Sequence, residues 1–189
     1  VSNYLVIRGN YVHDNLGHGL WTDIDNRHVV FEDNVTSYND GDGIKHEISY
    51  DCAIRRNTSV GNHNSRAAWL FGSGILVQNS THCDVYENQI QVDSLGNGLN
   101  ILNEYRERLG VLYYGVENTV HRNQLSFAAG SGATSSRYED NVYDFNVYDV
   151  LETFIRHFGE RPGMIWRRFV ELGIETYGVL HARGSDLSI

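Results

Sequence analysis

The chain has 189 residues, a formal charge of -9, 19 glycines and a single proline. A negative net charge opposes attraction to nucleic-acid phosphates and anionic lipid, and no apolar run approaches the roughly 18 residues of a membrane span, so neither nucleic acid nor membrane is an expected partner. Many glycines together with β-branched and aromatic residues favour short strands joined by tight turns, and therefore an all-β protein.

A short apolar-alternating segment that ends in asparagine recurs along the chain. The segments are LVIRGN, VVFEDN, CAIRRN, CDVYEN, NTVHRN and SRYEDN, and they end at Asn10, Asn34, Asn57, Asn88, Asn123 and Asn141. We expect each asparagine in a tight turn, where it tolerates a left-handed backbone and its amide reaches the asparagine one strand spacing of about 4.8 Å away. The spacing therefore predicts an internal asparagine ladder.

A glycine followed by a strand is the second recurring marker. It appears at Gly19, Gly43, Gly74, Gly98 and, more weakly, Gly132. A period near 23 residues is also compatible with leucine-rich repeats, but the regular leucine framework of those repeats is missing here.

The two markers together resemble the parallel β-helix repeat of the pectate-lyase-like superfamily, in which each coil runs strand, turn, strand, asparagine turn, strand, turn. The resemblance covers about residues 3–143. It implies a right-handed, single-stranded parallel β-helix of about five coils over residues 1–147, with N-terminal coils or a cap missing, and a secreted or cell-surface protein. Lyases, hydrolases, epimerases and non-catalytic tailspikes share this fold, so the fold alone selects no activity.

Strand alternation places the residues five and three positions before each asparagine inside the coil. The first column contains Leu5, Val29, Cys52 and Cys83, and the second contains Ile7, Phe31, Ile54, Val85 and Val120. Cys52 and Cys83 fall on successive coils, where parallel side chains make disulfide geometry awkward. We therefore predict buried, reduced thiols.

The strand after each glycine carries the candidate site. Residues two and four positions after the glycine are expected to face solvent. They form the columns Trp21, Lys45, Leu76, Asn100, Thr134 and Asp23, Glu47, Gln78, Leu102, Ser136, while His46 points inward as a core histidine. Enlarged turns around residues 63–70 and 103–108 border the same sheet from opposite edges.

In lyases of the resembled superfamily this outer face holds the active site, which implies β-elimination on a uronic acid polymer. Lys45 would be the base, with Asp23 and Glu47 as catalytic carboxylates that bind Ca²⁺ together with Asp42. Two carboxylates beside Lys45 stabilise its ammonium form, so this role depends on the metal. The expected polysaccharide contacts are Trp21, Arg66, Trp69, Gln78, Asn100, Tyr105, Arg106 and Arg108.

Three other interpretations fit the same residues. Asp23 and Glu47 on adjacent coils would lie about 5 Å apart, a spacing compatible with the carboxylate pair of a retaining glycoside hydrolase. A non-catalytic carbohydrate-binding or adhesive solenoid would stack sugar rings on Trp21, Trp69, Tyr105 and Tyr113. Without metal, the charged residues would be a solvent-exposed cross-strand cluster of small energetic effect.

The repeat is predicted to stop after Asn141, and residues 148–189 are expected to form a partly helical cap. A first helix is predicted from Asp149, and a second over residues 163–172 that ends at Gly173. An open solenoid end exposes strand edges, which a cap would cover.

Overall fold

The computed structural model describes residues 1–63, 71–93, 96–127, 132–135, 140–150, 170–171, 173 and 175–182. The strands in these residues are three to six residues long and form three parallel sheets and one antiparallel hairpin. Short strands of this kind follow from the alternating segments between turn residues.

Sheet 1 holds the strands that precede the asparagine turns: β1 (Val6–Arg8), β4 (Val29–Glu32), β7 (Tyr50–Arg55), β10 (Thr81–Tyr86), β15 (Thr119–His121) and β18 (Val142–Asp144). Sheet 2 holds the strands that follow those turns: β2 (Tyr11–His13), β5 (Val35–Ser37), β8 (Thr58–Val60), β11 (Gln89–Val92), β16 (Gln124–Phe127), β19 (Val147–Val150) and β20 (Val179–Ala182).

Sheet 3 holds the glycine-led strands: β3 (Leu20–Asp23), β6 (Ile44–Glu47), β9 (Ser73–Gln78), β12 (Asn97–Leu102) and β17 (Gly132–Ser135). The hairpin is formed by β13 (Arg106–Arg108) and β14 (Val111–Tyr113). The chain passes through sheets 1, 2 and 3 in turn five times, and each strand pairs in parallel with its counterpart one coil later. This path confirms the predicted parallel β-helix of about five coils.

The asparagine ladder runs through the turns between sheets 1 and 2. Asn34, for example, donates from its backbone N–H and from Nδ2 to Oδ1 of Asn57, at 3.0 and 2.9 Å. The residue in the left-handed backbone conformation is the one before each asparagine, such as Asp33 (φ 55°) and Arg56 (φ 53°). The prediction of a left-handed asparagine was therefore wrong: the turn selects asparagine for its side-chain amide.

The sixth ladder position is Asn146 and not Asn141, which corrects the predicted repeat. Nδ2 of Asn123 donates to Oδ1 of Asn146 at 2.9 Å, and the interval between them is 23 residues. Asn141 instead accepts from Nδ2 of Asn118 at 2.9 Å, in the turns between sheets 3 and 1. The ladder then reaches Glu175, whose carboxylate accepts from Nδ2 of Asn146 at 2.6 Å and from the hydroxyl of Tyr148.

The core is the apolar tube inside the three sheets, and both predicted columns line it. Val29, Phe31, Ile54, Val85 and Val120 are fully buried or nearly so, while Leu5 and Ile7 of the first coil pack against them. Cys52 and Cys83 face each other on β7 and β10 as buried free thiols, as predicted. Burial raises the pKa of the Cys52 thiol well above its usual range.

The predicted cap falls largely on residues outside the described part of the chain, including nearly all of both predicted helices. Strand β19 crosses the predicted boundary at residue 147, and β20 pairs with it in parallel, Val147 opposite Val179. Sheet 2 therefore continues past the last strand of sheet 3. Among the described residues, no helix has the length and apolar character needed to cross a membrane.

Candidate functional site

The outer face of sheet 3 brings most of the predicted site residues together. Trp21, Lys45, Leu76 and Asn100 lie opposite one another on successive strands, and so do Asp23, Glu47, Gln78 and Leu102. The fifth coil differs from the prediction because Gly132 lies opposite Asn97 and not Gly98. Thr134 is therefore opposite Leu99, Ser135 takes its predicted place beside Asn100, and Ser136 lies outside the described residues.

This face is largely buried, which corrects the prediction that its side chains face solvent. Lys45 is 6 % exposed, Glu47 is 5 % exposed, and Gln78 is fully buried, whereas Trp21 at one end of the face is 52 % exposed. Leu76 and Leu102 form a small apolar cluster with Phe71, separate from the core inside the coils.

The hairpin β13–β14 helps to cover this face. Leu109 and Gly110 connect its strands with φ of 52° and 78°, the backbone that a two-residue hairpin turn requires. Nδ2 of Asn79 anchors the hairpin at its base by donating to the carbonyl oxygens of Glu104 and Tyr113, at 2.6 and 2.9 Å. The second enlarged turn is thus a folded element lying on earlier coils.

The far side of the hairpin is tied to the first coil through Asp25. Arg108 donates to the Asp25 carboxylate at 2.8 Å, and the Tyr113 hydroxyl donates to it at 2.6 Å. The hydrogen bond to Asp25 raises the pKa of Tyr113 to about 12. Two residues predicted to contact sugar, Arg108 and Tyr113, therefore have a role in holding the hairpin in place.

Lys45 and Glu47 form an ion pair on β6, with Nζ and Oε2 2.8 Å apart. The Lys45 ammonium also lies 5.3 Å from the ring centre of Trp21 and 5.6 Å from that of Phe71. Arg106 of the hairpin approaches the other carboxylate oxygen of Glu47 at 3.6 Å. Because the pair is buried, the interpretation as a solvent-exposed charge cluster of small effect was wrong.

Asp23 lies beside Glu47 on the preceding coil, and its environment differs from that of Glu47. Burial raises the pKa of Asp23, and the neighbouring Glu47 charge raises it further, against the opposing effects of Lys45 and Arg106. Oδ1 of Asp23 is buried and has no hydrogen-bond partner among the described residues. The same holds for Oε1 of Gln78, whereas its Nε2 donates to Glu104 at 2.9 Å.

Asp42 is not brought to this carboxylate pair. It precedes β6, whereas Glu47 ends that strand, so the two are separated by roughly 15 Å of extended chain. Oδ1 of Asp42 accepts the backbone N–H of Ser73 at 2.7 Å, and its backbone N–H donates to Nδ1 of His18 at 3.0 Å. The proposed metal ligands Asp23, Asp42 and Glu47 therefore do not converge on one point.

The remaining predicted contacts are dispersed. Asn100 is buried and donates to Oγ of Ser73 at 2.7 Å, while Tyr105 is exposed and donates to Glu107 at 2.7 Å. Arg66 and Trp69, in the first enlarged turn, lie outside the described residues. Among the described residues around the Asp23–Glu47 pair, Trp21, Asp23 and Arg106 are accessible to solvent.

A family model described as a right-handed β-helix region matches residues 1–90. Together with the three parallel sheets, this match gives the chain the right-handed β-helix fold. The match includes the first four ladder asparagines and the strands that carry Trp21, Asp23, Lys45 and Glu47. Comparison with curated proteins and with solved structures finds no match.

Sequence reasoning missed how this β-helix buries its own outer face. Glu104, which contacts Gln78 and Arg106, was not among the candidate residues, and neither was Phe71. The signal for the hairpin was weak, because neither Arg106–Arg108 nor Val111–Tyr113 alternates in polarity and Gly110 is the single turn residue between them. The sequence does not show where such a hairpin packs.

Proposed function

We propose that this β-helix protein acts on a polysaccharide and hydrolyses glycosidic bonds, with Asp23 and Glu47 as the carboxylate pair. The observation that carries the proposal is the contrast between these neighbouring carboxyl groups. Burial and the Glu47 charge raise the pKa of Asp23, whereas Glu47 forms an ion pair with Lys45 and lies near Arg106. Glycoside hydrolysis uses two neighbouring carboxyl groups in different environments, one of which has a raised pKa and acts as the proton donor.

The reaction assigns one role to each carboxyl group. Protonated Asp23 donates its proton to the glycosidic oxygen, while the Glu47 carboxylate attacks the anomeric carbon and forms a glycosyl ester. Asp23, now ionised, then removes a proton from a water that hydrolyses this ester. Adjacent strands hold the backbones of the two residues about 4.8 Å apart, a spacing compatible with the short carboxyl separation of retaining enzymes.

Trp21 and Arg106 surround the accessible edge of the pair. The exposed ring of Trp21 offers a flat apolar surface for a sugar ring, and half-exposed Arg106 can bind an acidic or hydroxyl substituent. A polysaccharide substrate and a secreted or cell-surface location, both implied by the family resemblance, are part of the proposal.

The Ca²⁺-assisted lyase reaction has less support from the geometry. A base must reach the substrate proton, and the Lys45 amine is instead engaged in an ion pair with Glu47 and in contacts with two aromatic rings. Asp42 also lies away from Asp23 and Glu47, so the expected Ca²⁺ ligand set is reduced to two carboxylates.

A carbohydrate-binding function without catalysis is the second candidate. It is favoured by the burial of Lys45 and Glu47, which leaves Trp21, Asp23 and Arg106 as the surface that a glycan reaches. Trp21 would then supply most of the binding energy by stacking.

The deciding experiment is a degradation screen on neutral and uronic acid polysaccharides, with and without Ca²⁺. New reducing ends without ultraviolet absorbance of an unsaturated product support hydrolysis. Unsaturated product that depends on Ca²⁺ would contradict hydrolysis and restore the lyase. Glycan binding without any product would favour the second candidate.

Variants test the assigned roles. We expect Asp23→Asn and Glu47→Gln to lower the hydrolysis rate by about 100-fold or more. A catalytic proton-transfer group usually contributes at least this factor. Asp33→Asn, which removes an exposed carboxylate paired with Arg56, is the matched control and should retain full activity. Activity should also fall as the pH rises through the raised pKa of Asp23, because the proton donor is then lost.

A further inference from the structure

A second cluster of reactive side chains lies inside the coils, on the opposite side of β6 from Lys45 and Glu47. His46, Cys52 and Cys83 point into the core, and one ligand atom of each lies within 4.8 Å of the other two. His46 is fully buried, Cys52 is 4 % exposed and Cys83 is 1 % exposed. No role in the proposed hydrolysis accounts for these three residues.

The imidazole of His46 is oriented as a ligand would be. Nδ1 lies 2.8 Å from Oγ1 of Thr22 on the preceding coil, which fixes the ring plane. Nε2 is buried and has no hydrogen-bond partner among the described residues. When Nδ1–H donates to Thr22, Nε2 carries an available electron pair, the arrangement in which a second protein group orients a metal-bound histidine.

The two thiols complete a donor set of one nitrogen and two sulfurs. Cys52 and Cys83 lie directly opposite each other on β7 and β10, so their sulfur atoms are held side by side by the strand register. The sulfur of Cys83 lies next to Cys52 and the His46 ring. Its other contact is a long one, 3.7 Å to the carbonyl oxygen of Thr81. Nothing in that contact competes strongly with a metal ion.

The donor types select a soft ion. Thiolate sulfur and imidazole nitrogen favour Cu⁺ or Zn²⁺ over Ca²⁺ or Mg²⁺. Structural Zn²⁺ sites almost always have four ligands, and in the described part of the chain only three His, Cys, Asp or Glu side chains meet here. Cu⁺ is stable with three ligands. Loss of one proton from the two thiols on binding gives a neutral site, which suits an apolar core.

The geometry points to a buried site for one Cu⁺ ion, bound by Nε2 of His46 and by the sulfur atoms of Cys52 and Cys83. Because the ligands are closed off from solvent, the ion enters while the coils form or open locally. Bound Cu⁺ would join sheet 3 of the second coil to sheet 1 of the third and fourth coils.

The test is anaerobic refolding of the full chain with one equivalent of Cu⁺ and a chromophoric Cu⁺ chelator as competitor. We expect one copper per chain after desalting, X-ray absorption from two sulfurs and one nitrogen, and a higher Tm than the copper-free protein. Copper added to the folded protein should load more slowly than copper present during refolding.

Three core variants replace one proposed ligand each by valine, a residue found at the equivalent position of another coil. Cys52→Val and Cys83→Val copy Val29, and His46→Val copies Val77. Each should abolish retention of copper, while Ile54→Val, a conservative change in the adjacent column, should retain it. Thr22→Val should weaken Cu⁺ binding by about 10 to 100-fold, because Thr22 orients the histidine without touching the ion.

Several results would overturn the assignment. Equal copper retention by wild type and the valine variants would place the ion elsewhere. Retention of one Zn²⁺ per chain in preference to Cu⁺, or recovery of the cysteines as a disulfide from the folded protein, would also exclude it. If the valine variants fail to fold, X-ray absorption of the wild type still counts the sulfur ligands directly.

Discussion

The ladder is formed by Asn10, Asn34, Asn57, Asn88, Asn123 and Asn146, and the outer patch by Asp23, Lys45, Glu47 and Gln78. Both are sets of mostly buried polar side chains, although Asn10 is exposed and Asp23 is partly exposed. In the ladder each buried amide donates to the next coil and accepts from the previous one. In the outer patch Oδ1 of Asp23 and Oε1 of Gln78 remain without partners among the described residues. Unsatisfied buried groups are costly, so they mark the region where a ligand is the better explanation.

The two regions become buried in different ways. The ladder is buried by the repeat itself, because every coil supplies the same side chain at the same turn. The outer patch is buried with the help of a hairpin that begins at Arg106, beyond all four patch residues in the chain, and that contacts Asp25 of the first coil. When the repeat buries a polar side chain, the neighbouring coils also supply its hydrogen-bond partners. When a single insertion buries a polar side chain, the coils do not supply such partners.

The largest effect is expected in the ladder. Asn57→Ala removes donors to the Phe31 carbonyl and to Asn88, and removes the acceptor for Asn34. With about 1 to 3 kcal/mol for each of these three lost hydrogen bonds, we expect a loss of about 3 kcal/mol or more in the free energy of unfolding, measured in urea. Gln89→Ala, at an exposed position one coil later, is the control, and a similar loss there would remove the distinction between the two environments.

The ion pair of the outer patch should contribute less. Lys45→Met leaves the buried Glu47 carboxylate with only Arg106 nearby, and we expect a loss of about 2 to 3 kcal/mol in the free energy of unfolding. The double variant Lys45→Met/Glu47→Leu should recover most of that loss, because no uncompensated charge remains. If the double variant is as unstable as the single one, packing and not charge explains the effect.

The end of the ladder should give stability a pH dependence. Burial raises the pKa of Glu175 above its ordinary value of 4.5, so ionisation of this carboxyl group costs more in the folded protein than in the unfolded chain. The stabilising contribution is complete below pH 4.5 and is lost as the pH rises through the raised pKa. Thermal unfolding across this range should show a slope that Glu175→Gln removes, with a stability change of about 1 kcal/mol or less at low pH. A slope that survives in the variant would assign it to another group.

The smallest effect on stability is expected at Asp23. Asp23→Asn removes a carboxylate whose ionisation burial already disfavours, so the free energy of unfolding should change by no more than about 0.5 kcal/mol. The same variant should lose hydrolysis, which separates function from stability at one residue. A loss of 2 kcal/mol or more would instead give Asp23 a structural role like that of the ladder asparagines.

Most of the fold could be predicted from the sequence because a repeat shows its own register. The spacing of Asn10, Asn34, Asn57, Asn88 and Asn123 gave the ladder, and the alternation before each asparagine gave the core columns. Asn146 was missed because aromatic residues, Tyr143 and Phe145, replace the usual pattern before it, and Asn141 offered a better local match.

The candidate site could be predicted only in part. Strand alternation gave the adjacency of Asp23, Lys45 and Glu47, which depends on local period alone. Their burial depends on where residues 103–116 pack, a contact across more than 80 positions that no local pattern encodes. The separation of Asp42 from Glu47 follows from the length of strand β6, because Asp42 precedes this strand and Glu47 ends it.

Glu175 also gives the solenoid a direction. Every ladder asparagine has both a donor and an acceptor, so a duplicated coil placed between Asn57 and Asn88 would find its hydrogen-bonding needs met on both sides. A carboxylate only accepts, and the two oxygens of Glu175 are occupied by Asn146 and Tyr148. Lengthening of this molecule by gene duplication or by engineering is therefore expected to succeed within the ladder and to fail beyond Glu175.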